Sequence, residues 1–541
     1  MKEKKSLLSN LKFDLASGLV VFFVALPLCL GISLASTAYA ETETLEAFKG
    51  VVFPGLIAGI VGGIVVGSLS GSRFGVSGPA AGLITIVSVA IMEFGGFQNG
   101  GFEKFILAVA IAGVFQLILG FIQAGFLAYY IPFSVIKGML AGIGVTIIMK
   151  EIPHFFGYDK DVEGDMNFEQ VDGHNTFTEL YYMTDNVHIG ATIVGLISLA
   201  ILIVWGFKFV KKSKILSMIP GPLIAIIISI IVAVLFSSVP GMMISAEHLV
   251  QVPTPSSMEE FKSQFYTPDF SALKDYHVYV VALTIAAVAS IETLLCVEAT
   301  DKMDPYKGRT PMNRELKAQG VGNLVSGLLG GLPITQVIVR SSANIDSGAK
   351  SKTSAVLHGI FLLSFILLVP GLLNMIPRST LAAVLILIGY KLASPATIKK
   401  MINVGWEQAV PFFVVIFAML FSDLLKGVGA GLVVAFLIIL YRNYRMSYFV
   451  KGENGDENQP IKLTLSQHAT FLNKASILKT LDEIEDGKEV IIDFSHTLDV
   501  DYDVRQVIEE FQQSAKDREI SVTIINRDGT IEKQEFEEER E

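Results

Sequence analysis

The residues Gly330-Gly331-Leu332-Pro333-Ile334-Thr335-Gln336-Val337-Ile338-Val339-Arg340-Ser341-Ser342-Ala343-Asn344 place an arginine and several polar groups inside a chain otherwise dominated by lipid-like sequence. Two glycines and a proline stop whatever precedes them. Pro333 suits the first position of a new helix, where a missing N–H costs nothing. The pattern predicts a helix that begins near Ile334. Its first turn would offer unpaired N–H groups and partial positive charge, and Gln336 and Arg340, four apart, would share a face. Such a terminus attracts anions.

The same plan occurs upstream in Ser72-Arg73-Phe74-Gly75-Val76-Ser77-Gly78-Pro79-Ala80-Ala81-Gly82-Leu83: a short extended run, a Gly-Pro break, then an apolar helix. Interrupted segments at corresponding places in two halves of a membrane chain point to a transporter's central site, with both helix N-termini aimed at the substrate. The alternative, in which Gly-Pro only kinks a packed helix, fits less well because kinks need no matched placement.

Composition agrees with a membrane setting. Of 541 residues, 51% are hydrophobic and 17% charged, and the mean hydropathy is +0.55. This describes a polytopic α-helical membrane protein with some soluble mass. A net charge of -10 argues against nucleic acid as a partner. The two cysteines, Cys29 and Cys296, both lie in apolar segments. They offer neither a disulfide framework nor a cysteine-rich zinc site, and no metal or cofactor is expected. Enzyme signatures are absent: there is no H-E-x-x-H, no G-x-S-x-G and no complete P-loop. The nearest imitation, Ser347-Gly348-Ala349-Lys350-Ser351, lacks the glycine directly before lysine.

In chain order, 1–12 is a basic, polar start and Phe13–Ala38 the first apolar run. Its end, Ala38-Tyr39-Ala40, imitates a signal-peptidase site. The run is longer than a signal peptide's apolar region and more spans follow, so it reads as an uncut helix. In the second span, Val51–Ser70, the glycines 59, 63, 67 and 71 form a small-residue face for close helix approach. The first half continues through Ser77–Phe94, Phe102–Ala124, Ile131–His154, His188–Val210 and Ile215–Ser237. The second runs through Tyr276–Thr300, Pro311–Leu329, Ile334–Ile345, Ser354–Met375, Ser379–Lys399, Trp406–Leu424 and Val428–Tyr441. Span length thus gives about seven segments per half, or about fourteen in all, within a transport domain at 13–448 whose halves cover about 13–237 and 276–445.

Lysines 208, 211, 212 and 214 fall on one side with Lys302, Lys307, Arg309, Arg314, Lys317, Lys399, Lys400, Arg442 and Arg445. That side is read as the cytoplasm, and an even count of spans puts both termini there. The acidic loops Glu41–Glu46 and Asp159–Asp185 fall opposite. After Tyr448 comes a linker at 449–460, most polar at Gly452–Gln459. Strand and helix patterns then alternate: Ile461–Leu465, Ala475–Ile484, Val490–Asp493, Val504–Ala515 and Ile520–Ile525. This predicts a small soluble α/β domain at 461–526, followed by an acidic tail at 527–541, disordered over Glu532–Glu541.

Inside the spans, Glu292 stands out. A carboxylate there is expensive unless it faces a cavity or a cation, and desolvation in general disfavours the charged form of a carboxyl. It is therefore a candidate for ion coupling, the alternative being a structural glutamate bonded to neighbouring helices. Glu298 and Asp301, nearer the cytoplasmic end, mark the interface. Arg340 has an alternative too, as a buried counter-ion that never meets substrate.

These motifs resemble the sulfate permease (SulP) family of anion transporters with a C-terminal STAS domain. The resemblance covers nearly the whole chain. It rests on F-D-L-A-S-G-L at Phe13–Leu19 with Pro27, V-S-G-P-A-A-G at Val76–Gly82 and A-S-I-E-T-L-L at Ala289–Leu295. It continues through N-R-E-L-K-A-Q-G-V-G-N at Asn313–Asn323 and G-G-L-P-x6-R ending at Arg340. It implies a seven-plus-seven inverted repeat, a core domain moving against a gate domain like an elevator, and a homodimer. The anion would sit between the N-termini of the third and tenth segments, with Ser77, Gly78, Pro79, Ala80, Ala81, Thr335, Gln336, Val337 and Arg340 as substrate-binding residues.

Departures from the pattern bear on coupling. Sodium-dependent bicarbonate members carry an aspartate, a threonine one turn later and a threonine after the tenth-segment turn. Here those positions are Glu292, Cys296 and Ile338, which favours proton coupling or exchange. Leu28 replaces a glutamine found in many members, and Asp501-Tyr502-Asp503-Val504 offers no serine where regulated relatives have one. The sequence therefore predicts a secondary, not ATP-driven, transporter of a small inorganic anion, in a bacterial cytoplasmic (inner) membrane. Bicarbonate stands ahead of sulfate because the pattern is similar to bacterial members associated with carbonic anhydrase; a dicarboxylate or chloride is the alternative substrate. A rival class is a membrane-tethered scaffold or sensor that acts through its STAS-like domain and transports nothing.

Overall fold

Without water to bond the backbone, apolar runs must satisfy their N–H and C=O groups internally, and helices result. The computed structural model describes residues 10–38, 52–163, 165–170, 174–207, 210, 219–254, 257–445, 448–451 and 460–533. Residues 1–9, the loop 41–46, the lysines 208, 211, 212 and 214, the polar stretch 452–459 and the tail beyond Lys533 lie outside them. The chain divides into two compact units, Met1–Leu432 and Val433–Glu541.

The first half of the larger unit contains α1 (Leu11–Ala38), α2 (Phe53–Leu69), β1 (Ser77–Pro79), α3 (Ala81–Glu93), α4 (Gly101–Phe121), α5 (Phe133–Phe155), α6 (Thr176–Met183), α7 (Ile189–Gly206) and α8 (Gly221–Phe236). The second half contains α9 (Tyr276–Met303), α10 (Met312–Leu328), β2 (Ile334–Gln336), α11 (Ile338–Asp346), α12 (Thr353–Leu368), α13 (Arg378–Leu392), α14 (Pro395–Val404), α15 (Trp406–Leu420) and α16 (Leu424–Arg445). The division between units falls inside α16. Seven helices among the described residues are long and apolar enough to cross a membrane, and five apolar ones are shorter. α10 and α11 are polar but buried among the others.

One core binds α1 to α4 with α9 and α12. The glycine face of α2 does what its spacing predicts: a Cβ on Gly63 would lie 2.5 Å from the Cα of Gly359 on α12. α5 packs mainly against α13 and α15. The P-loop imitation binds the chain's own anion, since the Lys350 and Ser351 N–H groups donate to Asp14 Oδ1 at 2.7 and 3.0 Å.

The expected helix at Ile334 begins instead at Ile338. Ile334–Gln336 is a strand, paired antiparallel with Ser77–Pro79 in the register Ser77 to Gln336, Gly78 to Thr335 and Pro79 to Ile334. Each break thus supplies the ladder partners that the other lacks, and a backbone that can pair has no need to coil. Gly330, at φ +82°, makes the turn before β2; a Cβ there would meet the Tyr266 carbonyl at 2.5 Å.

In the smaller unit, β3 (Tyr448–Lys451), β4 (Ile461–Leu465), β6 (Glu489–Asp493), β8 (Ser521–Ile525) and β9 (Ile531–Lys533) form a sheet in the order β3-β4-β6-β8-β9, and the short strands β5 (His468–Ala469) and β7 (Asp499–Val500) pair in parallel. β4, β6 and β8 run parallel and the edge strands antiparallel. α17 (Lys474–Asp482) and α18 (Tyr502–Asp517) cover it around one apolar core. Residues 449–451, expected as linker, belong to edge strand β3, and the stretch expected to be disordered from Glu532 begins inside β9.

Candidate functional site

The paired breaks fix two helix starts. Ala80 and Val337 each remain extended, and neither α3 nor α11 receives a side-chain cap. Residues of both first turns, Ala81 on one side and Ile338, Val339 and Arg340 on the other, border one place, so the positive ends of two helix dipoles meet there. A cavity of about 60 Å³ lies there, bordered by Pro79, Ala81, Val337 and Arg340 among others. That is room for a small anion or a few waters.

Five of the ten predicted residues border this cavity: Pro79, Ala81, Glu292, Val337 and Arg340. Ser77, Gly78, Ala80, Thr335 and Gln336 do not; they build the strand pair and its exits behind it. Ser77 Oγ accepts from Gln319 at 2.8 Å, and Gln336 donates through Nε2 to Thr300 Oγ1 at 3.1 Å. Among the described residues, the buried Thr335 hydroxyl has no partner.

Arg340 is only 1% exposed, and among the described residues none of its three guanidinium nitrogens has an oxygen or nitrogen acceptor. The Cys29 thiol lies beside it. A buried guanidinium without an acceptor is costly, which favours an anion nearby. Its position also explains Gly78, where a Cβ would lie 2.0 Å from Arg340 Nη1. Glu292 is 3% exposed, with Oε2 unpartnered. A Cβ on Gly82 would lie 3.1 Å from that carboxylate, so the start of α3 touches it. No ion pair joins Arg340 to Glu292 among the described residues. The Ile338 N–H reaches the sulfur of Cys296.

The profile of the "Sulfate permease family" matches residues 11–417. The chain belongs to the sulfate permease family. It is a multi-pass membrane anion transporter, not an enzyme, and its smaller unit is STAS-like. Among sulfate permease relatives it is 28% identical over 435 residues to YvdB of Bacillus subtilis (strain 168), whose sulfate-transporter name is itself provisional, covering 80% of this chain and 74% of that protein. It is 25% identical over 464 residues to the bicarbonate transporter BicA of Picosynechococcus sp., covering 85% and 75%. Among solved structures, the transmembrane domain of a cyanobacterial BicA aligns with a TM-score of 0.54 at 23% identity, covering 78% of this chain and 98% of that one. The murine Slc26a9 anion transporter aligns at 0.63 and 17%, covering 97% and 86%.

Sequence reasoning missed several residues that hold the site. Asn323 bonds Ile334 on both sides, donating to its carbonyl at 2.9 Å and accepting from its N–H at 2.6 Å. Thr293 accepts from the Gln336 N–H at 3.4 Å, and Ser341 Oγ accepts from the Val76 N–H at 3.0 Å. Buried polar side chains on a helix next to a break were the available signal. Asn323 ended a quoted motif without being given a role.

Proposed function

We propose that this protein is a secondary active transporter of bicarbonate, with sulfate as the next candidate, working by elevator-type alternating access as a homodimer. The observation that carries the substrate class is the convergence of two uncapped helix N-termini and an unpaired, buried Arg340 on one small cavity. Two positive dipole ends and a guanidinium in a low-dielectric site attract a small anion strongly. The likeness to bicarbonate transporters supports reading bicarbonate ahead of sulfate.

Coupling falls to Glu292 rather than to sodium. Cys296 and Ile338 supply no hydroxyl oxygen, and one carboxylate is a poor sodium cage. A carboxyl that takes a proton as the anion arrives would bring both across together, because a nearby negative charge favours the protonated form.

The test is uptake into liposomes loaded with the purified full chain. Bicarbonate or sulfate should accumulate above protein-free vesicles, respond to an imposed proton gradient or to a counter-anion inside, and persist without sodium. Uptake that requires sodium at fixed pH and ignores a proton gradient contradicts the coupling. No uptake of any small anion by well-folded protein favours the scaffold reading.

A further inference from the structure

The loop after α5 was expected to be an acidic external connection, yet much of it is buried. Asp161, Glu163 and Asp165 are 3%, 6% and 1% exposed. The chain enters the helical unit so deeply that a Cβ on Gly31 of α1 would lie 1.5 Å from the Glu163 carbonyl oxygen. Val162 packs on the main core, and Met166 borders the anion cavity beside Thr146 and Val337. Phe168 then returns to the end of α15, its N–H donating to the Ser422 carbonyl at 3.0 Å. This segment runs from α5 to α1 and borders the cavity through Met166. It does so at the end of α5 opposite Lys137, whose end is shared with Lys302, Lys307 and Lys400.

Its charges do not balance when ionised. Facing one another are Lys150, Glu151 and His154 of α5, Asp159, Asp161, Glu163 and Asp165 of the segment, and Glu179 of α6. His248, with the His188 ring tilted against it at 4.6 Å, and Arg378 at the start of α13 complete the group. Lys150 pairs with Asp161 at 3.0 Å. Asp159 is held by His154 and His248, each at 2.7 Å. Among the described residues, one oxygen of each of Glu151, Glu163, Asp165 and Glu179 is buried without a partner, while the other oxygens of Asp165 and Glu179 accept from the Asn167 N–H at 2.9 Å and from Gln170 Nε2. Among the described residues, no three of these groups converge as a metal ion would need.

We propose that the residues from Asp159 to Glu163 and from Asp165 to Met166 form a proton-held plug, closing the anion cavity on its acidic side while the carboxyls that keep a buried, unsatisfied oxygen are neutral and leaving it when they ionise. The ligand is the proton. An ionised carboxylate with an unsatisfied oxygen is unstable in a dry site, whereas the neutral acid is tolerated.

Electrostatics set the window. Burial pushes Asp165 up to about 6, with Lys150 opposing and Asp161 adding. Burial likewise pushes Glu179 up to about 7, with Asp161 adding, and raises Glu163 against the pull of Arg378. Burial would raise Asp159 as well, but its two histidine contacts outweigh it and hold the group at about 2. Carboxyls raised in the closed form stabilise closure below their ordinary range, and that stability is lost as pH climbs through about 6 to 7. The depressed Asp159 acts in the other direction, losing its contribution only as pH falls toward about 2, so it does not compete in this window.

The test reads the plug without measuring transport, so it stands or falls apart from the transport reading, from which it borrows only the identity of the cavity. In the full chain in lipid vesicles, Met166→Cys is labelled with a charged methanethiosulfonate reagent. Its rate is divided by that of Tyr181→Cys, a position 69% exposed, to remove the ordinary rise of thiolate with pH. Chain carrying neither substitution gives the background from Cys29 and Cys296. The ratio should rise about tenfold or more between about pH 5.5 and about pH 8, since each unit of raised pKa is worth a factor of ten. Glu163→Gln combined with Asp165→Asn should keep the low ratio at the higher pH, and Gly31→Ala should give the high ratio at the lower pH. A ratio that ignores pH, or a double variant that follows the parent, overturns the proposal. So does a folded Gly31→Ala protein that labels as slowly as the parent; if that variant does not fold, the double variant decides.

Discussion

At the first break the chain runs Ser77-Gly78-Pro79-Ala80-Ala81-Gly82; at the equivalent positions of the second it runs Ile334-Thr335-Gln336-Val337-Ile338-Val339. Both are three-residue strands followed by one extended residue and an uncapped helix. The first is built from small residues and is followed by an apolar helix. The second is larger and leads into a helix carrying Arg340, Ser341, Ser342 and Asn344. The difference separates two duties. The small break lets other side chains approach, Arg340 at Gly78 and Glu292 at Gly82. The large break supplies the charge and the hydrogen bonds, with Ser341 and Asn344 reaching back to the Val76 N–H and the Phe74 carbonyl. A symmetric backbone thus carries an asymmetric site.

The strongest way to break this comparison is to fill the cavity from either side. Val337→Trp and Ala81→Trp should each reduce anion uptake in liposomes to the background of empty vesicles, because the space of about 60 Å³ has no room for an indole. Normal uptake by both variants would remove the anion from between the breaks.

Next in size is Arg340→Gln, which should weaken apparent anion affinity by about tenfold or more, about 1.4 kcal/mol, while Arg340→Lys keeps the charge but loses the planar fork. Gly78→Ala sharpens the comparison, since its methyl would displace the guanidinium and should weaken affinity in the same direction with Arg340 still present. Unchanged affinity in a folded Arg340→Gln protein would leave the arginine a purely structural role.

The sequence made these two breaks legible because glycine and proline interrupt apolar runs at matched places. The alternating strands and helices of the smaller unit were also readable, since amphipathic period is a local property. What it did not reveal was non-local. Nothing near Ile334 signals a strand whose partner is Ser77–Pro79, so the helix was expected four residues too early. The acidic loop was placed only by side, opposite the cytoplasm; its burial depends on the contact with Gly31, far away on α1. Residues 449–451 read as linker because an edge strand of four residues is too short to show a pattern.

The smallest change in turnover is expected from Glu292→Gln, which mimics the neutral acid at the start of α3. Anion exchange should continue at a rate within a few-fold of the parent, while the response of uptake to a proton gradient disappears. Measured in the same liposomes, a Glu292→Gln protein that still follows the proton gradient would assign coupling to another group.

The pairing of β1 with β2 also constrains how the protein is made. More than 250 residues separate Ser77 from its partner Gln336, so during synthesis the backbone of the first break waits through most of the membrane domain for the strand that completes it. Until Ile334–Gln336 emerges, N–H and C=O groups in the middle of an apolar segment have no ladder, and lipid cannot supply one. The first half is therefore an assembly intermediate that must stay near water or a chaperoning surface, and the two halves mature as one folding event.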